Sequence, residues 1–293
     1  LLQMDFFYRK NPWYAGQFVR KIVPKISLDD NSIIFFTTLL NKQKQKLLNV
    51  LVRDVDRTFS NSYIQLPTKD GKIDFEFMDA CIRELEEERI RELSAYLTVS
   101  GLDNYELSSE EKEALDAYDS MVFGEHKFKD IFNNIKQGRR LKKDDQVVGN
   151  IPFVMSGRTN TGVVGYISNP IALFSKNSIT IDIFGNSFYR SYDFGAGDDT
   201  GVYWNDKIQY SKEAMLYLTT AMEKTLLGKY SYGKKLRSSQ SFNFKVQLPT
   251  KNGKIDFEFM ELLISAVQKL AIKDVVLYAD EKIQSTKKIV KES

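Results

Sequence analysis

The sequence predicts an α+β protein, with globular α/β lobes of twisted sheet joined and closed by long antiparallel coiled-coil-like helices. Three observations carry that expectation. The stretch QLPTKDGKIDFEFM, Gln65 to Met78, returns as QLPTKNGKIDFEFM, Gln247 to Met260, with Asp70 against Asn252 as the one change. An apolar pattern of helical period follows each copy, while short β-rich runs cluster between Ile151 and Phe184. Charge is segregated: the net is +6 over 1–69, −11 over 70–122, +7 over 123–250 and +1 over 251–293. These four segments are the expected domains: the closing part of a first lobe, a central helical spacer, a complete second lobe and a distal helix.

Composition bounds the function. The chain has 293 residues, 42% apolar and 28% charged, enough for a packed core. A single Cys (Cys81) and a single His (His126) exclude a disulfide framework, a Cys/His zinc site and any mechanism that needs two histidines. No apolar run approaches the roughly 18 residues of a membrane span, and the opening LLQMDFFYRK lacks the pattern of a signal peptide. The expectation is a soluble, cytoplasmic protein. Two basic blocks around an acidic one form the electrostatic footprint of two polyanion-binding modules joined by an element that does not bind.

In the first lobe, FYRKNPWYAG (Phe7 to Gly16) aligns with FYRSYDFGAG (Phe188 to Gly197), so the duplication reaches beyond the fourteen residues. The second copy has 65 residues before that point, from Phe123 to Ser187, and the first has six. A natural one-and-a-half repeat, a cut chain and an omitted segment all fit. In each QLPT, Pro67 or Pro249 demands a strand edge or extended chain, and KDGK or KNGK is a turn signal. Asp74 and Asp256 stand at N-cap positions, with Glu76 and Glu258 in the first turn.

The first helix carries Phe77, Cys81, Leu85 and Leu93 on one stripe and is expected to end near Gly101. Ser108 with Glu111 forms a capping-box pattern for a further helix. In the second lobe, IPFVM, GVVGYI, IALFS and ITIDIF read as strands, and KEAMLYLTTAMEKTLL as a helix. The distal helix shows Phe259, Leu263, Ala266, Val267, Leu270, Val275 and Tyr278 at recurring spacing. It is expected to run to about Ile283, roughly 40 Å. The two long helices would bury their stripes against each other as an antiparallel rod.

Three motifs suggest chemistry and fail on inspection. NPWY, Asn11 to Tyr14, resembles the Asn-Pro-Pro-Tyr element of amino-methyltransferases, but has Trp13 for the second proline and no glycine-rich turn upstream. GKYSYGKK, Gly228 to Lys235, follows the phosphate-loop pattern until Lys235 replaces the magnesium-binding Ser or Thr. Asp198 and Asp199 in GAGDDTG lack companion carboxylates and read as a polar turn. His126 and Cys81 read as structural.

Candidate nucleic-acid contacts remain. Arg139, Arg140, Lys142 and Lys143 form a basic turn before the lobe's first strand, and Arg158, Asn160 and Thr161 lie in the next loop, where guanidinium and amide groups suit base edges. Lys229, Tyr230, Tyr232, Lys234, Lys235 and Arg237 interleave cations with aromatics, as phosphate contact and stacking require. Tyr189 and Arg190 match Tyr8 and Arg9, and Lys10 and Trp13 adjoin the latter pair. An arginine shared by both lobes fits a phosphate grip or packing better than base reading.

The stretch FKDIFNNIKQGRRLKKDDQVVGNIPFVMSGRTNTGVVGYISNP, Phe128 to Pro170, resembles the opening of a target recognition domain in the specificity (S) subunits of type I restriction-modification systems. QLPT…GKIDFEFM with its long helix resembles the close of one. Related modules occur in type IIB and type IIG enzymes. The resemblance covers nearly the whole chain and implies a non-catalytic subunit, with no cofactor of its own, whose recognition domains each bind half of a bipartite double-stranded DNA target. It implies that the paired helices set half-site spacing and dock methyltransferase subunits, which would carry S-adenosylmethionine, with a restriction subunit as a further candidate partner. Two other readings stand beside it: a protein-protein adaptor with basic lobes, and a specificity fragment of a fused methyltransferase-nuclease.

Overall fold

The computed structural model describes residues 4–50 and 54–292, and side chains as far as residue 287; Leu1 to Gln3 of the opening stretch lie outside the described residues. By its contacts the chain divides into two units: Leu1–Asp103 with Asp274–Ser293, and Asn104–Lys273.

The first unit begins with irregular chain to Asp29, whose carboxylate accepts from Ser32 N at 2.7 Å and caps α1 (Asp30–Asn41). Then come α2 (Lys44–Leu48), α3 (Val55–Ser60), the hairpin of β1 (Thr68–Lys69) and β2 (Lys72–Ile73), and α4 (Phe75–Val99). Asp70 and Gly71 join β1 to β2 with φ of 52° and 74°. Both central residues are left-handed, the type I′ geometry that Asp-Gly and Asn-Gly adopt at least cost. Asp74 accepts from Phe77 N at 2.9 Å and starts α4. Gly101, with φ 65°, ends it as expected.

α4 packs on α1; its side chain Leu97 is buried near its end, and Met78 and Ile82 near its start. Asn31 on α1 donates to Asp79 at 2.7 Å beside them. At the start of the helix the expected stripe is therefore displaced by one position, whereas Leu97 continues the expected row from Leu93. Phe77 and Leu85 are exposed, and Cys81 and Leu93 only half-buried. One residue turns a helix by 100°, and the sequence does not show which of two adjacent apolar rows has a neighbour. Within this unit Lys282 lies 3.7 Å from Glu86.

The second unit opens with α5 (Ser109–Ala117), whose capping box between Ser108 and Glu111 is present as expected. There follow β3 (Phe123–Lys127), α6 (Phe128–Ile131), β4 (Asn134–Gln137), β5 (Val148–Val154), β6 (Val163–Ile167), β7 (Leu173–Phe174) and β8 (Ser178–Asp182). Next are β9 (Ser187–Arg190), β10 (Phe194–Ala196), β11 (Thr200–Trp204), α7 (Lys212–Leu226), β12 (Lys245–Lys251), β13 (Lys254–Ile255) and α8 (Phe257–Glu292). The strands form three sheets, ordered β6-β5-β10-β7, β4-β11-β8-β9 and β13-β12-β3. Within them β10 and β5 run parallel, and every other pair is antiparallel. The α+β class holds, and β5 to β8 fall on the four expected strand runs.

α7 lays Met215, Leu218 and Met222 into the main core with Phe128, Phe132, Ile179, Ile181, Tyr203, Leu248 and Met260. The basic turn Arg139 to Lys143 does not precede the first strand; it joins β4 to β5, because the apolar Ile131 to Ile135 region is itself core. His126 sits within β3 with its Nε2 buried and without a hydrogen-bond partner among the described residues.

α8 continues to Glu292, past the expected Ile283. Its buried positions in this unit are Phe259, Met260, Leu263 and Ala266, with Val276 and Ala279 buried beyond; Val267, Leu270, Val275 and Tyr278 are exposed. Leu263, expected to face the first long helix, packs instead against Ala114 of α5. There Glu111 accepts from Ser265 at 2.6 Å and from Lys269 at 2.9 Å. Burial pushes the Glu111 carboxyl upward, but these bonds and the one from Ser108 N outweigh it and hold the group below its ordinary value.

Candidate nucleic-acid interface

The second unit carries a groove of about 800 Å³ lined by the end of β4, the turn after it, β7 and its flanks, Asp198, Trp204 and Arg237. Four of its side chains are cations, Lys136, Arg139, Arg140 and Arg237, against the one acid Asp198. Its aromatic wall is Phe174 and Trp204, edge to face at 5.9 Å. Lys136 Nζ lies 5.5 Å from the Trp204 ring centre.

Backbone geometry places these groups. Gly138 donates to Thr200 O, and Arg139 N donates to Ala196 O, both at 2.9 Å. A Cβ on Gly138 would sit 2.2 Å from Gly197 O, so only glycine lets the basic turn cross β10 this closely. Gln137 donates to Asp198 O at 3.0 Å and accepts from Ser238 N at 2.9 Å. Arg237 donates to the same Asp198 carbonyl at 2.6 Å. These bonds tie Asp198 and the Arg237–Ser238 segment to the end of β4.

Of the residues singled out in the sequence, the groove unites Arg139, Arg140 and Arg237. Lys142 and Lys143 are exposed on the turn that follows and do not line it. Lys229, Tyr230, Tyr232, Lys234 and Lys235 form a separate tongue after α7, closed by a bridge between Ser231 and Lys234. In it Lys234 stands 5.8 Å from the Tyr230 ring and Lys235 4.5 Å from the Tyr232 ring, with Tyr232 82% exposed.

The Ser156 to Gly162 loop presents Arg158, Asn160 and Thr161 at the surface. Arg158 donates to Asn186 Oδ1 at 2.6 Å and pairs with Glu223 at 3.4 Å. Tyr189 is half-buried and donates to Asn177 at 3.2 Å. Arg190 is 1% exposed, with its guanidinium bonded inside the lobe, so it cannot meet DNA in this conformation. Burial depresses its pKa.

In the first unit Tyr8 donates to Asp30 at 2.5 Å and Lys10 at 2.6 Å, and Arg9 lies 5.2 Å from the Phe7 ring. The bonds to Asp30 raise the pKa of both Tyr8 and Lys10. Trp13 is exposed. Sequence reasoning passed over Lys136, Gln137, Phe174 and Trp204. No spacing in the sequence announces them, because Lys136, Gln137 and Trp204 belong to one sheet and Phe174 to another.

The sequence matches the family described as the type I restriction modification DNA specificity domain, over residues 2–95 and 123–277. The chain belongs to that family. Its members are DNA-recognising specificity subunits, a non-catalytic class. One relative is the specificity subunit S.BcgI of a type II restriction enzyme from Heyndrickxia coagulans, 24% identical over 261 residues, covering 87% of this chain and 72% of that protein. Among solved structures, a type I restriction-modification S subunit from M. genitalium is similar, with TM-score 0.46 and 16% identity, over 87% of this chain and 69% of that one. The HsdS subunit of Thermoanaerobacter tengcongensis follows with TM-score 0.38 and 12% identity, over 84% of this chain and 64% of that one. Among the described residues no helix is long and apolar enough to cross a membrane.

Proposed function

We propose that this specificity-domain protein reads a bipartite duplex DNA target, one half through each lobe, and that its long helices receive methyltransferase subunits. The observation that carries the reading is the groove of the second unit, which Lys136, Arg139, Arg140 and Arg237 line together with Phe174 and Trp204. Cations at that density neutralise backbone phosphates, and the aromatic wall offers apolar contact to sugars and bases. The tongue after α7 adds a second phosphate and stacking element through its exposed Tyr232, Lys234 and Lys235, while Tyr230 packs against the core, and Lys142 and Lys143 add a third. In the first lobe Tyr8, Arg9, Lys10 and Trp13 take the corresponding part.

The docking role rests on apolar side chains that the helices leave exposed: Phe77, Leu85 and Tyr96 on α4, and Leu270, Leu277 and Tyr278 on α8. The chain needs no cofactor for this; S-adenosylmethionine belongs to the methyltransferase. Two measurements test the reading. Footprinting on a duplex selected from a random library should show two protected tracts separated by an unprotected spacer, and a single tract would refute the bipartite reading. Leu277→Asp with Tyr278→Asp should abolish co-purification with a methyltransferase subunit while leaving duplex binding intact; unimpaired co-purification would refute the dock.

A further inference from the structure

Arg190 and Asp182 are buried charges of opposite sign, 1% and 4% exposed, and neither is paired with the other or with any other ion in the described residues. Burying an unpaired charge is unfavourable unless its hydrogen-bonding capacity is met. Here one loop supplies four of the nine side-chain hydrogen bonds that meet it. Asp182, at the end of β8, accepts from Ser156 Oγ and Gly157 N, each at 3.1 Å, and from Phe184 N, Asn186 N and Asn186 Nδ2. Arg190, at the end of β9, donates through Nη2 to Thr161 O at 2.6 Å and through Nη1 to Thr161 Oγ1 at 3.2 Å. Its Nε donates to Thr180 Oγ1, and Nη1 donates also to the Tyr192 hydroxyl.

One hairpin therefore grips the two ends of the segment Ser156 to Thr161. Between the grips the backbone is unusual: Asn160 and Thr161 both have positive φ, 47° and 51°. A β-branched residue rarely adopts that conformation, and it persists only where surroundings determine it. The fold determines this one through Arg190, whose bonds fall on Thr161 itself. The exposed product is the tip Arg158, Thr159 and Asn160.

The loop also adjoins the groove. Ser156 N donates to Asp199 Oδ2 at 3.0 Å, while the preceding residue, Asp198, lines the groove and accepts from Gln137 and Arg237. From these placements we infer that the Arg158–Asn160 tip is a preorganised base-reading element, and that Arg190 and Asp182 are positioning residues that hold it in its reading conformation. This rests on the proposed DNA reading of the same lobe. It separates two tasks: the groove supplies affinity to phosphates, and the clamped tip supplies choice among sequences.

The test uses the full chain, a duplex obtained by selection from a randomised library, and a fixed random-sequence duplex. The quantity read is the ratio of the two affinities. Asn160→Gly keeps the left-handed backbone and removes the amide; the ratio should fall about tenfold, the size of one lost bidentate base contact. Arg190→Met should lower the ratio at least as far and speed hydrogen exchange at the Ser156 to Gly162 amides, with the salt dependence of random-duplex binding unchanged. A merely structural arginine would lower both affinities together and leave the ratio alone. An unchanged ratio in Asn160→Gly overturns the inference, and decides the matter alone should Arg190→Met fail to fold. Parent protein that binds neither duplex would instead sink the proposed DNA reading, which is a separate failure.

Discussion

The two copies of the repeated stretch, 65–78 and 247–260, form the same local structure in different surroundings. Asp70 and Asn252 have φ of 52° and 53°, and Gly71 and Gly253 both have 74°. Asp74 and Asp256 cap their helices onto Phe77 N and Phe259 N at 2.9 and 3.0 Å. Met78 and Met260 are both fully buried. The surroundings part company at the strand. β12 runs seven residues and pairs with β3, burying Val246 and Leu248, whereas β1 has two residues and pairs with β2 alone. Phe259 is buried and Phe77 is exposed. The shared sequence, with Asp70 or Asn252 in the turn, thus secures the turn, cap and helix start, and neighbours decide what else is buried.

The helices that follow sharpen the contrast. In α8, Lys269 pairs with Glu111 at 2.9 Å, with side chains 19% and 7% exposed. In the first unit Lys282 pairs with Glu86 at 3.7 Å, with both nearly half exposed. Lys269→Met should cost about 3 kcal/mol in denaturant unfolding, because it strands a buried carboxylate. Lys282→Met should stay within about 0.5 kcal/mol. Similar losses would break the distinction. The Glu111 carboxyl is held below its ordinary value. Its contribution is therefore present above the unfolded carboxyl pKa, about 4.3, and is lost as pH falls through the lower folded value. Lys269→Met should flatten that acid limb.

Next comes the strand. Leu248 is fully buried in the main core, and its counterpart Leu66 is half-buried. Leu248→Ala should cost about 2–5 kcal/mol and Leu66→Ala about half that or less, measured by the same unfolding titration. Equal costs would mean that the first copy's strand is as well covered as the second's.

Much of this was legible in the sequence, and the boundary of legibility is physical. The hairpin, the caps Asp74 and Asp256, and the capping box of α5 follow rules that act within four residues, so a single sequence states them. The groove does not: Gln137, Phe174, Asp198, Trp204 and Arg237 meet only after two sheets assemble, and nothing in their spacing announces it. Arg190 was legible as a residue shared with Arg9, but not as buried. Even the cation over Phe two residues earlier is common to both, at 5.2 and 5.3 Å, while the hydrogen bonds that bury Arg190 come from β8 and the Ser156–Gly162 loop. The start of the α4 stripe was misplaced by one residue for the related reason that α1, its neighbour, lies far away in sequence.

Smaller effects test the sameness of the copies. Asp74→Ala and Asp256→Ala should each cost about 1 kcal/mol, since both remove one cap bond at a helix start. A difference above that size would show that the caps are not equivalent. Smallest of all, exchanging Asp70→Asn and Asn252→Asp should move stability by less than about 0.5 kcal/mol, because both side chains tolerate the left-handed turn.

The central claim, that the basic groove grips DNA phosphates, is tested most directly by salt. Full chain and an Arg139→Gln, Arg140→Gln, Arg237→Gln variant, matched in melting temperature, would be titrated onto one random-sequence duplex across a range of salt. Each phosphate contact contributes about 0.9 to the slope of log affinity against log salt. The account predicts a variant slope shallower by about 2 to 3 and weaker binding at low salt. A variant with the parent's slope and affinity would contradict it.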